Sequence, residues 1–442
     1  MTDRPQQPFE LTTQRLGALP IVDQFLGRIG LRELLERYLP AGDRRVMLPA
    51  AVAIGLLVRN LCVAREPLYG LAEWAARHDP SLLGLAEGET GLLNDDRVGR
   101  ALDQLFDCDR GSLLTELMLG VIKEFQVDCS QLHNDSTSIT VHGDYTAADG
   151  RARAGKPTVA ATLGHSKDHR PDLKQFVLTL TVSADGAVPL AHRLLDGNVT
   201  DDQTHIETWD GLCVLVGRHD FLYVADCKLA TREQMSHIDS HHGRFLSILP
   251  RSRAEDPQIR DWGQTHPFDW TEAARRPGKR KGDPDQVYWT APAPIPTSEG
   301  HRITWVRSSQ KLACDADARH ARIEQGMQAL EGVQARLASP RSRLKTRLAA
   351  EQAARDALAS AGSERWLAFE ITDTEQESFR QEKRGRPGEQ TRYRKTTKTI
   401  FTLTFTVNDE QVAYDAATDG QFPLLTNDHD LTDPELLAAY RL

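Results

Sequence analysis

Apolar positions in the first quarter of the chain recur three and four residues apart. Ile21, Phe25, Leu26 and Ile29 form one such set, and Leu31, Leu34, Leu35 and Tyr38 another. Pro40-Ala41-Gly42 and Leu83-Gly84 punctuate the pattern, which predicts a helical unit over residues 16–127 behind a tail of residues 1–15. Asn94-Asp95-Asp96 ahead of Val98, Ala101, Leu102 and Leu105 reads as a capped helix start followed by a buried stripe. Core packing accounts for such a stripe by itself. A helix-turn-helix reading of the whole unit stays open but is unspecific.

From residue 129 the period shortens. Gln131–Thr140, Gln175–Ser183, Pro189–Leu195, Phe221–Ala225 and Phe245–Leu249 are short, rich in apolar and β-branched residues, and read as strands. Helical stretches at Asp202–Val216 and Thr231–Ser240 separate the last three. The turn Ala184-Asp185-Gly186 makes two strands antiparallel, whereas the helices imply parallel crossovers. The expectation for 128–250 is therefore a mixed sheet of an α/β fold.

After Pro250 the sequence breaks into Arg/Pro/Gly-rich loops and isolated strands at Gln286–Ala291 and Arg302–Val306. A helical hairpin is expected from Asp315 to about Ala361, broken at Ser339-Pro340, with Ile323, Met327, Leu330, Val333 and Leu337 as its apolar stripe. Strands return at Trp366–Ile371 and Thr399–Val407 around a basic loop. Residues 251–421 thus read as an α+β insertion, and 422–442 as a return to the core.

Composition narrows the possibilities. Forty per cent apolar and 26% charged residues are globular proportions. The longest apolar run, Val46–Val58, includes Pro49 and Gly55 and falls short of the roughly 18–20 residues that cross a bilayer. No membrane association is expected, nor a secretory leader in Met1-Thr2-Asp3-Arg4-Pro5. Six cysteines with no CxxC pair suit free thiols in a reducing cytosol. With 54 basic against 63 acidic residues the net charge is −9, so nucleic-acid contact would need local basic patches.

Two aspartates carry candidate chemistry. Asp135 lies in the first strand of the mixed sheet and Asp226 ends the fourth. Each alone could cap a turn. In a β-β-β-α-β sheet the first and fourth strands are neighbours, which brings both carboxylates to one edge as hard ligands suited to Mg²⁺ or Mn²⁺.

A resemblance is carried by Asn134-Asp135-Ser136-Thr137, by the string from Gly164-His165-Ser166-Lys167-Asp168-His169-Arg170-Pro171-Asp172 to Gln175, by Asp196-Gly197-Asn198 with Asp201-Asp202, and by Val224-Ala225-Asp226. From about Leu16 onward the chain resembles bacterial insertion-sequence transposases of the DDE type, closest to the group-four class with a β-rich insertion. That resemblance implies a ribonuclease-H-like core with Asp135 and Asp226 as catalytic residues and metal ligands for Mg²⁺ (or Mn²⁺). It implies double-stranded DNA partners (the element's terminal repeats and target DNA), a homodimer in the DNA complex, and a cytoplasmic, nucleoid-associated protein. Phe422–Asn427 resembles the family's later strand and Pro434–Arg441 the start of the helix that bears its third carboxylate, a Glu. The expectation is that this Glu lies beyond Leu442, with Glu435 on the wrong turn to replace it, so that the chain is truncated and its short last helix leaves an apolar patch exposed around Leu436, Leu437 and Tyr440. A truncated, inactive DNA-binding protein and another ribonuclease-H-like nuclease are the alternatives.

Lys167, His169 and Arg170 are candidates for phosphate contact at the rim of that site, against a solvated loop or a zinc pair of His165 and His169. Two basic clusters, Arg275–Lys281 and Arg380–Lys395, read either as solvated faces or as DNA-backbone contacts. In the second, Lys383, Arg384, Arg386, Arg392 and Arg394 are the candidates, with Arg386 suited to an AT-rich minor groove.

Overall fold

A computed structural model describes residues 13–39, 47–199, 204–278 and 280–441. The Pro40-Ala41-Gly42 break, Val46, the Asp201-Asp202 pair, Lys279, Leu442 and most of the 1–15 tail lie outside the described residues. The chain divides into two units, Met1–Phe245 and Leu246–Leu442.

The first unit opens with helices α1 (Leu19–Arg28), α2 (Leu31–Tyr38), α3 (Ala50–Val63), α4 (Leu71–Ala75), α5 (Asp95–Asp107) and α6 (Arg110–Phe125). They share one core that includes Leu34, Leu35, Ala53, Leu56, Leu71, Leu83 and Val98. Asn94 caps α5 by accepting from the Arg97 amide at 2.8 Å, satisfying a donor that the first turn leaves orphaned. In α1 the expected stripe is split: Leu26 and Ile29 pack against the core, whereas Ile21 (61% exposed) and Phe25 (48%) turn outward. Leu19 is the buried residue of that helix. Phe25 lies instead against Phe125 at 5.8 Å, and the Arg28 guanidinium stands over both rings.

The mixed sheet follows: β1 (Gln131–Val141), β2 (Lys174–Ser183), β3 (Pro189–Asp196), α7 (His205–Val216), β4 (Leu222–Ala225), α8 (Arg232–Ser240) and β5 (Arg244–Ile248), the last straddling the boundary between units. β2 runs antiparallel to both β1 and β3, while β4 pairs parallel with β1. All four residues of β4 are buried, as a strand covered on both faces requires. The order β3-β2-β1-β4, a meander followed by a parallel return through a helix, is the expected ribonuclease-H-like α/β arrangement.

The second unit contains α9 (Glu255–Thr265), β6 (Thr271–Arg276), β7 (Gln286–Pro292), β8 (Arg302–Ser308), α10 (Ser309–Ala338), α11 (Arg347–Ala361), β9 (Leu367–Gln381), β10 (Tyr393–Val407), α12 (Asp409–Ala416), β11 (Gln421–Thr426) and α13 (Asp433–Tyr440). From Leu246 on, β5 pairs antiparallel with β11, and β11, β8, β7 and β6 continue antiparallel. β9 and β10 form a separate ribbon. Leu330, Val333 and Leu337 of α10 and Ala350, Ala354 and Leu358 of α11 are buried with Leu367, Ile371 and Leu403 of the ribbon.

Four expectations need correction here. Residues 255–265 are helical, since Pro257 occupies the first turn, where a missing amide costs nothing. Arg275 and Arg276 sit on strand β6 rather than in a loop. The stretch between the strands expected at Trp366–Ile371 and Thr399–Val407 is mostly ribbon: Arg380 lies on β9, Arg394 and Lys395 on β10, and residues 382–392 make the turn. Around α13 no bare patch appears at Leu436 and Leu437, which are 0% and 1% exposed. Thr432 and Glu435 close a capping box that lets this two-turn helix form and bury them.

Candidate functional site

The two aspartates singled out from the sequence lie partway along β1 (Asp135) and just past the end of β4 (Asp226). In the parallel register Asn134 stands opposite Ala225, so Asp135 and Asp226 follow on neighbouring strands. Asp226 keeps extended backbone (φ −69°, ψ −177°), and the pleat therefore sends both side chains to the same face. Strands in such a pair lie about 4.8 Å apart, within the reach of one cation between two carboxylates.

Each aspartate is held. Asp135 Oδ1 accepts from the Ser136 amide at 2.7 Å. Asp226 caps the short turn Cys227–Leu229, its Oδ1 accepting from the Lys228 amide at 2.9 Å. The hydrogen bond shows the turn-capping role expected of a lone aspartate at this position. Two residues upstream on the Asp135 face, His133 is half-buried, and burial pushes its pKa below the usual imidazole value, leaving a neutral ring.

The Gly-His-Ser-Lys string forms an ordered loop beside β1. Lys167 donates to the Ser136 carbonyl and, at 3.0 Å, to the Ser136 hydroxyl, and its Nζ lies 3.9 Å from Asp135 Oδ1. The Lys167 amide donates to Ser138 Oγ at 3.1 Å, and Thr140 Oγ1 donates to Asp168 at 2.9 Å. His169 is exposed and takes a left-handed backbone (φ 56°), a conformation that costs a non-glycine residue of this type something to hold. Arg170 is clamped on Asp172 by two hydrogen bonds of 2.9 and 2.8 Å, which hold that carboxyl down at about 2. Lys167 is thus brought to the aspartate, whereas His169 and Arg170 face solvent, and His165 and His169 share no helix.

Two glycines fix the loop. A Cβ on Gly164 would meet the Gly197 carbonyl at 2.0 Å, and one on Gly197 would meet the Gln175 carbonyl at 2.0 Å. Gln175, 1% exposed, ties the same crossing by donating from Nε2 to Gly197 O at 2.8 Å. The hydrogen-bonding roles of Ser136, Ser138 and Gln175 follow only from the three-dimensional crossing of segments distant in sequence.

Glu435 has its carboxylate on the Thr432 amide (2.8 Å) and hydroxyl (2.6 Å), and these bonds lower its pKa. Among the described residues, no group of three or more His, Cys, Asp or Glu side chains is arranged to hold a metal ion. Asp135 and Asp226 suit a hard divalent cation in donor type, as two carboxylate ligands of a set. The remaining candidates, Lys383, Arg384, Arg386, Arg392 and Arg394, are all exposed at the ribbon's turn end. No helix among the described residues is long and apolar enough to cross a membrane.

Residues 11–119 match a family described as a domain of unknown function, DUF4277. No curated protein matches the chain. Among solved structures it is similar to a piggyBac transposase synaptic complex with hairpin DNA, at 8% identity over 67% of this chain and 62% of that one, with a TM-score of 0.28. It is also similar to a Mos1 transposase paired-end complex with the left transposon end, at 13% identity over 49% of this chain and 62% of that one, TM-score 0.18. The chain thus spans 62% of the length of each of these two structures.

Proposed function

We propose that this protein is an insertion-sequence DNA transposase of the DDE type, binding the terminal inverted repeats of its element and performing metal-dependent strand cleavage and transfer. The observation that carries this reading is the parallel β1–β4 register, which sets Asp135 and Asp226 side by side on one face. A bound Mg²⁺ or Mn²⁺ would supply Lewis-acid stabilisation and an activated oxygen nucleophile for attack on a phosphodiester. The two carboxylates would hold and orient it, with Asp135 fixed by the Ser136 amide and Asp226 by its cap. Lys167, beside Asp135, would bring a cation to the phosphate that is being attacked. Double-stranded DNA is the partner in this reading, and the working form is a nucleoid-associated homodimer.

The test is divalent-dependent cleavage of a duplex carrying the inverted repeats that flank the coding sequence. Asp135→Asn and Asp226→Asn should each abolish cleavage and keep DNA binding, since the amide preserves shape and loses metal affinity. Cleavage that survives in either variant would overturn the assignment.

A second reading, a DNA-binding protein without cleavage, is favoured by one observation: Glu435 is engaged in its capping box and no third carboxylate joins the pair among the described residues. Binding of the repeats with no cleavage by the unaltered chain in Mg²⁺ or Mn²⁺ would select it.

A further inference from the structure

The β9–β10 ribbon has two unlike faces. Its register runs from Leu367 opposite Val407 to Gln381 opposite Tyr393, and side chains alternate between faces along each strand. In the outer half, one face carries Asp373, Glu375, Glu377 and Phe379 with Tyr393 and Lys395. Its charges are largely matched: Lys395 lies 2.5 Å from Glu377, and Arg347 lies 3.4 Å from Asp373. The other face carries Gln376, Ser378 and Arg380 with Arg394, Thr396 and Lys398, and no carboxylate.

Arg380 stands directly opposite Arg394. Like charges across a pair destabilise a ribbon, and among the described residues no ion pair relieves Arg380, Arg394 or Lys398. Packing does not call for them either, since the ribbon's buried side chains, Leu367, Ile371 and Leu403, all lie toward its other end. A second copy of the ribbon is a poor occupant, because β9 is mainly acidic and β10 basic in this half and symmetric edge pairing would set like charge on like. A polyanion suits it.

We infer that this face is a docking surface for the phosphate backbone of double-stranded DNA, with Arg380, Arg394 and Lys398 as the cations and Gln376, Ser378 and Thr396 as neutral hydrogen-bonding neighbours. The inference rests on the DNA reading above; within the Arg380–Lys395 cluster it assigns Arg380 and Arg394 to one face, and it adds Lys398 from beyond it. It also removes Lys395, whose ammonium is matched by Glu377. Lys398 lies four positions beyond Arg394, about 14 Å along the strand, close to the roughly 12 Å width of a major groove that admits a two-stranded ribbon. The cations can therefore meet phosphates on its two rims.

The experiment measures binding of the full chain to a generic duplex of about 30 base pairs across a salt series, without divalent metal. One variant, Arg380→Gln/Arg394→Gln/Lys398→Gln, should flatten the slope of log affinity against log salt by about 2.7, at about 0.9 per phosphate contact, and weaken low-salt binding at least tenfold. The opposite-face variant Glu377→Gln/Phe379→Ser/Lys395→Gln should stay within about twofold of wild type. An unchanged slope in the first variant, or an equal loss in the second, overturns the proposal. If the triple variant unfolds, Lys398→Gln alone, with an expected change of about 0.9, decides in the same way. Because the assay contains neither metal nor element ends, loss of cleavage leaves this proposal standing, and an unchanged slope leaves the Asp135–Asp226 reading standing.

Discussion

The Asp135–Asp226 site and the outer half of the β9–β10 ribbon both present charge to solvent, yet they are built in opposite ways. At the site every element is tied: Asp135 to the Ser136 amide, Asp226 to its own turn, Lys167 to Ser136, and the loop to β3 through a crossing that tolerates no Cβ. The ribbon's outer half has a backbone ladder and exposed side chains, with its buried residues confined to the other end. Metal-assisted chemistry needs ligands placed to within about half an ångström, so it belongs on stiff strand ends. Attraction to a phosphate backbone is sequence-independent and tolerates displacement, so an extended arm can serve it.

The largest expected effect tests whether the ribbon really has a packed half and an open half. Leu330→Ala removes a side chain that is 0% exposed among α10, α11 and the ribbon, and should cost about 2–5 kcal/mol of second-unit stability in denaturant unfolding. Phe379→Ala, at a position 63% exposed, should change it by less than about 0.5 kcal/mol. Equal costs would erase the distinction.

Acid sharpens the contrast between the regions. Asp172 in the site loop and Glu255 in the second unit are both held at about 2 by an arginine, but Asp172 is solvent-exposed and Glu255 is buried with Arg253, itself shared with Glu299. The folded-state value of Glu255 lies below its ordinary 4.5, so its stabilisation is present above about pH 4.5 and is lost as pH falls toward 2. At neutral pH, Glu255→Gln should be less stable than wild type by roughly 3 kcal/mol, a gap that closes near pH 2. A gap independent of pH would place the effect in packing instead.

Gly164→Ala addresses the stiffness of the site. The added methyl must displace the Gly197 carbonyl, at a cost of about 1–3 kcal/mol, and amides of residues 160–175 should exchange roughly 10- to 100-fold faster while β4 stays protected. Unaltered exchange would mean that the loop was never pinned there. The smallest effect is at α13: Thr432→Ala removes its cap and should cost about 1 kcal/mol, with the helix fraying first in hydrogen exchange.

The strands of the first sheet were legible because their apolar residues alternate or run together, and their order alone made Asp135 and Asp226 neighbours. The length of β9 and β10 was not. Beyond Ile371 and before Ile400 their residues are Asp, Glu, Gln, Ser, Thr, Arg and Lys with the lone aromatics Phe379 and Tyr393, so no apolar period marks a strand, and cross-strand hydrogen bonding alone sustains it. Parity along the ribbon, which separates Arg394 from Lys395, is invisible until the register is known. The outward turn of Ile21 and Phe25 was equally hidden, because spacing gives a stripe without saying which neighbour it meets. The Gly164–Gly197 crossing joins positions 33 apart (197 minus 164), and nothing in either neighbourhood announces the other.

The ribbon's alternation also limits how its length can change over evolutionary time. Losing one residue from β10 between Lys398 and the packed end would turn over every side chain farther out on that strand, carrying Lys398 and Arg394 to the face of Glu375 and Glu377 and leaving Arg380 behind. Two residues lost from each strand would shorten the arm and keep its faces. Insertions and deletions here are therefore tolerated only in even, matched steps, so related chains should carry ribbons whose strands differ in length by two, four or six residues.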